Sequence, residues 1–474
     1  MKINKIITIA SLMVTGCTVG PKYEPPSVEI PFEWHSAPSD GMTADSPDCL
    51  RWWEALEDPC LNSLIERAAL QSPDMHIAIA RILQTRAERK GVSASYYPHI
   101  DGTANYGHVR YDNRFVKDIL GSSYDHQHNK RNINFFEAGF DAEWEIDLFG
   151  KTAHETKAAD AAIESSKENA RDVMVSLCTE VARNYIELRG LQLRLQIIQN
   201  NINDQQEMID LTHDLLNIGM ASIIDQWQTE EQLHTLAAQK PLIELSIDQT
   251  IHHLSVLLGH PPGELFCELS VSRALPQLPY DKPLGIPSEL LRRRPDIRRA
   301  ERDLAAATEQ VGAAVAALFP RLSLRGFIGD ITAHLNRPGF TWFAGPELVA
   351  PLFNSRLLRQ DVDLNKVKVK QALYGYEKTV LGALEETENA IAAFHYGLGR
   401  SHDLAHAELK SYNSYEIIHE LYGKGLKNYF EVLTASRSLS ATQDAHIQSR
   451  IQMLMHYISL YKALGGGWEI ADCD

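Results

Sequence analysis

The sequence predicts a mainly helical protein that also carries strands of a membrane β-barrel, and three observations lead there. Residues 136 to 151 read FEAGFDAEWEIDLFGK, with an apolar or small side chain at every even position to Leu148 and Glu137, Gly139, Asp141, Glu143, Glu145 and Asp147 at the odd ones. A period of two over that length describes a strand with one apolar and one acidic face. Only Gly190, and no proline, interrupts the stretch from Lys151 to Leu216, which allows a helix roughly 100 Å long at 1.5 Å per residue. The chain is also written twice. Pro73-Asp74 recurs as Pro295-Asp296 and Tyr97-Pro98 as Phe319-Pro320, both at a separation of 222 (295 − 73 and 320 − 98). Gly219, Asp225 and Leu233 fall on Gly425, Glu431 and Leu439 at a separation of 206 (425 − 219). Such self-similarity marks two halves of one ancestral unit.

The N-terminus reads MKINKIITIASLMVTGC: two lysines, a short apolar core from Ile6 to Val14, then small residues before Cys17. This is a secretory signal over 1–16, too short to be a membrane span. Val14-Thr15-Gly16-Cys17 has the pattern of a bacterial lipobox, whose cysteine is lipidated through sulfur, and Thr18 in place of aspartate favours an outer-membrane address. No later apolar run reaches the eighteen or so residues of a spanning helix, which does not bear on a barrel, whose signal per strand is weak. The formal net charge of −16 argues against nucleic acid as a partner. Six cysteines are too scattered for a disulfide scaffold. Cys49 and Cys60 stand where they either pair across a short loop or remain two thiols.

An extended segment is expected over 17–60. The first repeat, 61–260, then reads helix (about 61 to 94), strand pair, long helix, turn and a helix kinked at Pro241. Its strands, HIDGTANYGHVRY and the acidic one, flank a polar loop over 112–132. A proline-rich linker spans 261–286. The second repeat, 287–464, follows the same plan: helix 287–317, strands RLSLRGFIGDI and GFTWFAGPELVAPLF, helix 355–423, turn, helix 431–464, and a tail over 465–474. Four strands are too few to close a barrel. Open edges are not tolerated in lipid, so several chains must pool their strands.

The acids of the first strand admit three readings. A hydrolase uses two carboxylates in contrasting environments, and nothing in the sequence separates these acids in that way. Gly150-Lys151-Thr152 ends like a phosphate loop but has Glu145 where that motif needs its first glycine. A barrel strand with a wet lumen face explains all five acids at once.

At this point the residues resemble a known family, the TolC-like outer-membrane efflux proteins, in their OprM/NodT lipoprotein branch. The resemblance rests on GCTVGPKYEPP after the signal, RRRPDIRRAERDLAAA with ALFPRLSLRG, the run PLFNSRLLRQDVDLNKVKVKQALYGYEKTVLGALEETENAIAAF, the turn GLKNYFEVLTASRSL and the ending YKALGGGW. These cover nearly the whole mature chain. The resemblance implies a homotrimeric channel in which four strands per chain close a shared twelve-stranded barrel, continued by a long periplasmic helical barrel. It implies the exit duct of a tripartite efflux pump for drugs, toxic compounds or metal ions, working with a periplasmic adaptor protein and an inner-membrane transporter of the RND type. The protein is then no enzyme and needs no cofactor beyond the lipid on Cys17. A type I secretion duct is the neighbouring reading and an envelope lipoprotein enzyme the distant one.

Within that frame Glu137, Asp141, Glu143, Glu145 and Asp147 face the lumen. Gly219 and Asp225, with Gly425 and Glu431, mark the two tip turns. By alignment with the family motif, Phe430, Thr434 and Arg437 correspond to the pore constriction, and their spacing puts them on one helix face. The family commonly has aspartate where Thr434 stands, which leaves Glu431 or Asp225 as partners for Arg437. Phe430 itself is open to two readings, constriction or ordinary helical seam. His402 and His406 have i, i+4 spacing, and His252-His253 lies near a helix end, but a solvated face outweighs a metal site, since zinc normally takes a third ligand. The basic run Arg292-Arg293-Arg294 with Arg298-Arg299 reads as a charged helix start beside an acidic neighbour.

Overall fold

The structure is a computed structural model that describes residues 18–36, 42–43, 51–110, 132–279, 282–283, 287–332, 339–353 and 355–468. The signal peptide over 1–16, Cys17, Cys49 and loop residues 112–131 lie outside the described residues, as does the end of the tail from 469. In chain order, a turn of 3-10 helix at Trp52–Leu56 leads to α1 (Pro59–Gln71), α2 (Pro73–Ala94), β1 (His99–Arg110), β2 (Asn132–Ile146), α3 (Lys151–Asn217), α4 (Ile223–Ala237) and α5 (Lys240–Leu257). The second half supplies α6 (Pro287–Arg293), α7 (Pro295–Ala316), β3 (Arg321–Thr332), β4 (Phe340–Val349), α8 (Ser355–Gly423) and α9 (Tyr429–Ala463).

Proline accounts for where several helices stop. The single helices expected over 61–94 and 287–317 are each two, split before Pro73 and before Pro295, the same position of the repeat. A proline supplies no N–H and clashes with the carbonyl four residues back, so it starts a helix more readily than it continues one. Pro241 likewise stands in the first turn of α5. The long helices α3 and α8, of 67 and 69 residues, contain no proline. Among the described residues no helix is long and apolar enough to cross a membrane.

Contacts divide the chain into two units, 1–26 with 83–164 and 301–375, and 27–82 with 165–300 and 376–474. The first holds one sheet in the order β1–β2–β3–β4, antiparallel throughout. Among the described residues no strand pairs with the outer edge of β1 or of β4. Past β2 the strap of residues 18–23 packs against the start of α3. Gly150, with φ of +83°, lets Thr18 lie on it, the Val19 N–H donates to the Phe149 carbonyl at 3.2 Å, and the Val19 carbonyl meets His154 Nε2 at 3.0 Å. The other ring nitrogen of His154 lies 2.6 Å from Glu309 on α7. Gly312 completes the fit, because a Cβ there would strike the His154 ring.

The second unit is helical and has a continuous core. Trp52 and Trp53 of the 3-10 turn, Leu61, Leu64 and Ile65 of α1, Val181 and Tyr185 of α3, Phe394 of α8 and Tyr457 and Ile458 of α9 are all but fully buried in it. Cys60 is a free thiol in this core, beside the buried guanidinium of Arg189. A smaller cluster of Met208, Leu215, Tyr422, Tyr429, Val432 and Leu433 sits beneath the turns that follow α3 and α8.

Candidate functional site

The sheet of the first unit sorts its side chains by register. Residues directly opposite in an antiparallel pair point to the same face. On the even face of β2 stand Phe136, Phe140 and Trp144, beside Tyr106 and Ile100 of β1, Leu324 and Ile328 of β3 and Phe340, Trp342 and Leu348 of β4. Most of these are exposed, an arrangement that water does not favour and lipid does. Trp144 also donates its indole N–H to the Tyr96 carbonyl at 2.9 Å.

The opposite face carries Glu137, Asp141, Glu143 and Glu145 of β2, with His99, Asp101, Thr103 and Asn105 of β1. It is not purely acidic. Arg325 of β3 lies between Glu143 (3.3 Å) and Glu347 of β4 (2.8 Å), and Thr103 donates to Asp141 at 2.7 Å. Phe327 and Phe343 stack on this same face, their centroids 6.2 Å apart, and Phe327 covers the facing glycines Gly139 and Gly329. A Cβ on Gly139 would come within 2.7 Å of that ring. Aromatic cover over strand glycines restores packing that a missing side chain forfeits. Asp147 departs from the expectation. The strand ends at Ile146, and the Asp147 carboxylate accepts the Ala153 N–H at 2.8 Å in the first turn of α3. It satisfies a helix-start donor that has no partner within the helix.

The turns of the second unit share one backbone design. Gly219 and Gly425 take φ of +77° and +70°. After each, an N–H reaches back five residues, Met220 to Leu215 at 2.8 Å and Leu426 to Leu421 at 2.9 Å, which closes the helix in a Schellman ending. The next helix then opens with a capping box. Ser222 exchanges hydrogen bonds with Asp225, and Asn428 does so with Glu431. Lys427, 2.6 Å from Glu431, holds that carboxyl below the ordinary carboxylate range. The two turns also touch, since the Met220 methyl occupies the place a Cβ on Gly425 would take.

Phe430, Thr434 and Arg437 lie along one exposed side of α9. Phe430 is 66% exposed, whereas its neighbour Tyr429 is 1% exposed. The seam within the chain is therefore made by Tyr429, Val432 and Leu433, and Phe430 points away from it. The Thr434 hydroxyl donates to the Phe430 carbonyl at 2.8 Å and, among the described residues, reaches no acidic partner. Neither Glu431 nor Asp225 pairs with Arg437, because both carboxylates are engaged in their capping boxes. Arg437 instead donates from Nε to Gln232 at 3.0 Å and stands 3.8 Å from Glu231, both on α4. Sequence reasoning missed Glu231, although a signal for it existed: 437 − 206 = 231, so the two are equivalent positions of the repeat with opposite charge. Among the described residues no group of three His, Cys, Asp or Glu is arranged to hold a metal.

The family model described as "Outer membrane efflux protein" matches residues 64–260 and 286–466. Nodulation protein T of Rhizobium leguminosarum bv. trifolii is 29% identical over 97% of this chain and 96% of its own length. The pyoverdine export outer membrane protein OpmQ of Pseudomonas putida is 30% identical over 97% and 96%. Among solved structures the outer-membrane channel OprN superposes with a TM-score of 0.85 at 31% identity, covering 95% of this chain and 100% of that one.

Proposed function

This chain belongs to the outer membrane efflux protein family, and on that premise we propose that it is the exit duct of a tripartite pump, carrying small toxic or secreted compounds from the periplasm outward. It resides in the outer membrane with a large periplasmic portion and has the fold of the TolC-like channels. The observation that carries the proposal is the four-stranded sheet with one exposed apolar face, one charged face and two edges that no described strand pairs. Lipid accepts such strands only in a closed barrel. Three copies would close it, a homotrimer of four strands each, with the apolar face to lipid and Glu137, Asp141, Glu143 and Glu145 to the lumen. Lipidation at Cys17 would add an anchor. A periplasmic adaptor and an RND-type transporter would complete the pump. Cargo named for the relatives includes pyoverdine, solvents and toluene, which supports small organic compounds as the class for this chain.

The proposal places the gate at Phe430, Thr434 and Arg437. Three Phe430 rings meeting at the axis would close the pore by excluding water. In planar bilayers Phe430→Ala should raise the resting conductance while the trimer stays intact on a gel, and Thr434→Ala should do much less. A trimeric Phe430→Ala channel as closed as the parent overturns the phenylalanine gate, and a protein that never conducts overturns the duct. Replacing Asp141, Glu143 and Glu145 by their amides should reduce cation preference, read as the reversal potential in a salt gradient. Arg325→Gln should increase it, since that guanidinium offsets Glu143 and Glu347.

A further inference from the structure

On α8, His402 and His406 turn their rings toward each other. Their Nε2 atoms lie 3.2 Å apart and the ring centroids 4.5 Å apart at an interplanar angle of 71°. Both side chains are exposed, so no packing forces them together. Ligand bonds of about 2.05 Å meeting at about 100° separate two nitrogens by about 3.2 Å. The contact is a hydrogen bond between the two ring nitrogens, and it holds them at the bite of a cis chelate. Two further features fit. Asp403 Oδ1 stands 3.6 Å from His402 Nδ1, beyond hydrogen-bond reach but close enough to place a negative charge beside a bound cation. One turn earlier Gly399 presents no side chain, and nothing lies within 4 Å of an added Cβ there.

We propose that His402 and His406 form a two-imidazole chelate for a late first-row divalent cation. Imidazole nitrogen suits copper, nickel and zinc, and the stability order places Cu²⁺ highest. Calcium and magnesium, which take oxygen ligands, are excluded by the donor set. Binding replaces the shared proton: the ring that donates the Nε2–H bond loses that proton to water and takes one up at Nδ1, so that each neutral imidazole gives its Nε2 lone pair.

The test uses the full chain, purified without a polyhistidine tag and titrated with Cu²⁺ below and at equivalence. Metal content and the EPR spectrum are read together. The parent should hold one more Cu²⁺ per chain than His402→Ala or His406→Ala, with hyperfine structure from two nitrogens in the difference. The double substitution His406→Ala with Ala407→His keeps the number of histidines but moves the second imidazole about 100° around the helix. It should lose the same ion. Equal copper in the parent and His406→Ala overturns the proposal, and so does retention of the ion by the moved pair. All three positions are exposed on a long helix, so the variants fold with the parent.

Discussion

The turn at Gly219 and the turn at Gly425 have nearly the same backbone and different surroundings. Each ends its long helix in a Schellman pair and opens the next with a capping box. Ile224 and Phe430, equivalent at the separation of 206, are both exposed. The residues on either side diverge. Ile223 is exposed where Tyr429 is buried, and Trp227 is 62% exposed where Leu433 is 6%. The helix after the second turn runs unbroken for 35 residues, whereas α4 stops after 15, ahead of Pro241. Duplication has thus kept the positions that set the backbone and changed those that choose a neighbour.

The sharpest way to break that contrast is to truncate the equivalent pair. Leu433→Ala removes a core side chain and should cost about 2–5 kcal/mol. Trp227→Ala removes a side chain that meets solvent in one chain and should stay within about 0.5 kcal/mol. Apparent melting temperatures of the two purified variants give the comparison. A Trp227→Ala loss as large as that of Leu433→Ala would show that assembly covers the tryptophan.

The next effect is smaller and should be nearly symmetric. Ser222→Ala and Asn428→Ala each remove a helix cap, worth about 1 kcal/mol. The glycines should then break the symmetry. A Cβ on Gly219 meets nothing within 4 Å, while one on Gly425 meets the Met220 methyl. Gly425→Ala should lower the melting temperature more than Gly219→Ala, and Met220→Ala should bring the two closer together. Equal losses with Met220 intact would mean that the methyl moves aside without cost.

The turns, the long helices and the acidic strand are legible in the sequence because each rests on local rules: positive-φ glycine, absence of proline, period two. The strand count alone called for strands from other chains, whereas the expectation of a trimer and a pump rested on resemblance to a family. The breaks before Pro73 and Pro295 follow a rule the sequence already contains, since each proline stands at the first position of a second helix. Asp147 looks like a strand acid because alternation continues past the strand, and only the Ala153 N–H distinguishes the two roles. Arg325 hides for a different reason. Nothing near it in sequence says that it will meet Glu143, 182 positions away, since cross-strand register is a tertiary fact. The partner of Arg437 belongs to the same class, and so does the closeness of His402 to His406, where spacing permits contact but rotamers decide it.

The smallest effect concerns a place where equivalent residues of the two repeats confront each other. Glu231 and Arg437 are 3.8 Å apart, and both side chains are more than half exposed. Exposed pairs contribute about 0–1 kcal/mol, so Glu231→Gln should barely change stability. The hydrogen bond from Arg437 to Gln232 is shorter, at 3.0 Å, and part-buried, so Gln232→Ala should cost more than Glu231→Gln. A double-mutant cycle over Glu231→Gln and Arg437→Gln isolates the ionic part, which should shrink further as salt rises. Exchanging the charges, with Glu231→Arg and Arg437→Glu together, should recover most of what the single reversals lose, because the two positions are related by the repeat and differ mainly in sign. A coupling well above 1 kcal/mol would mean that the pair is less wet in the assembled protein than in one chain. The difference between the two turns would then be written by neighbouring copies as much as by the divergence of the repeats.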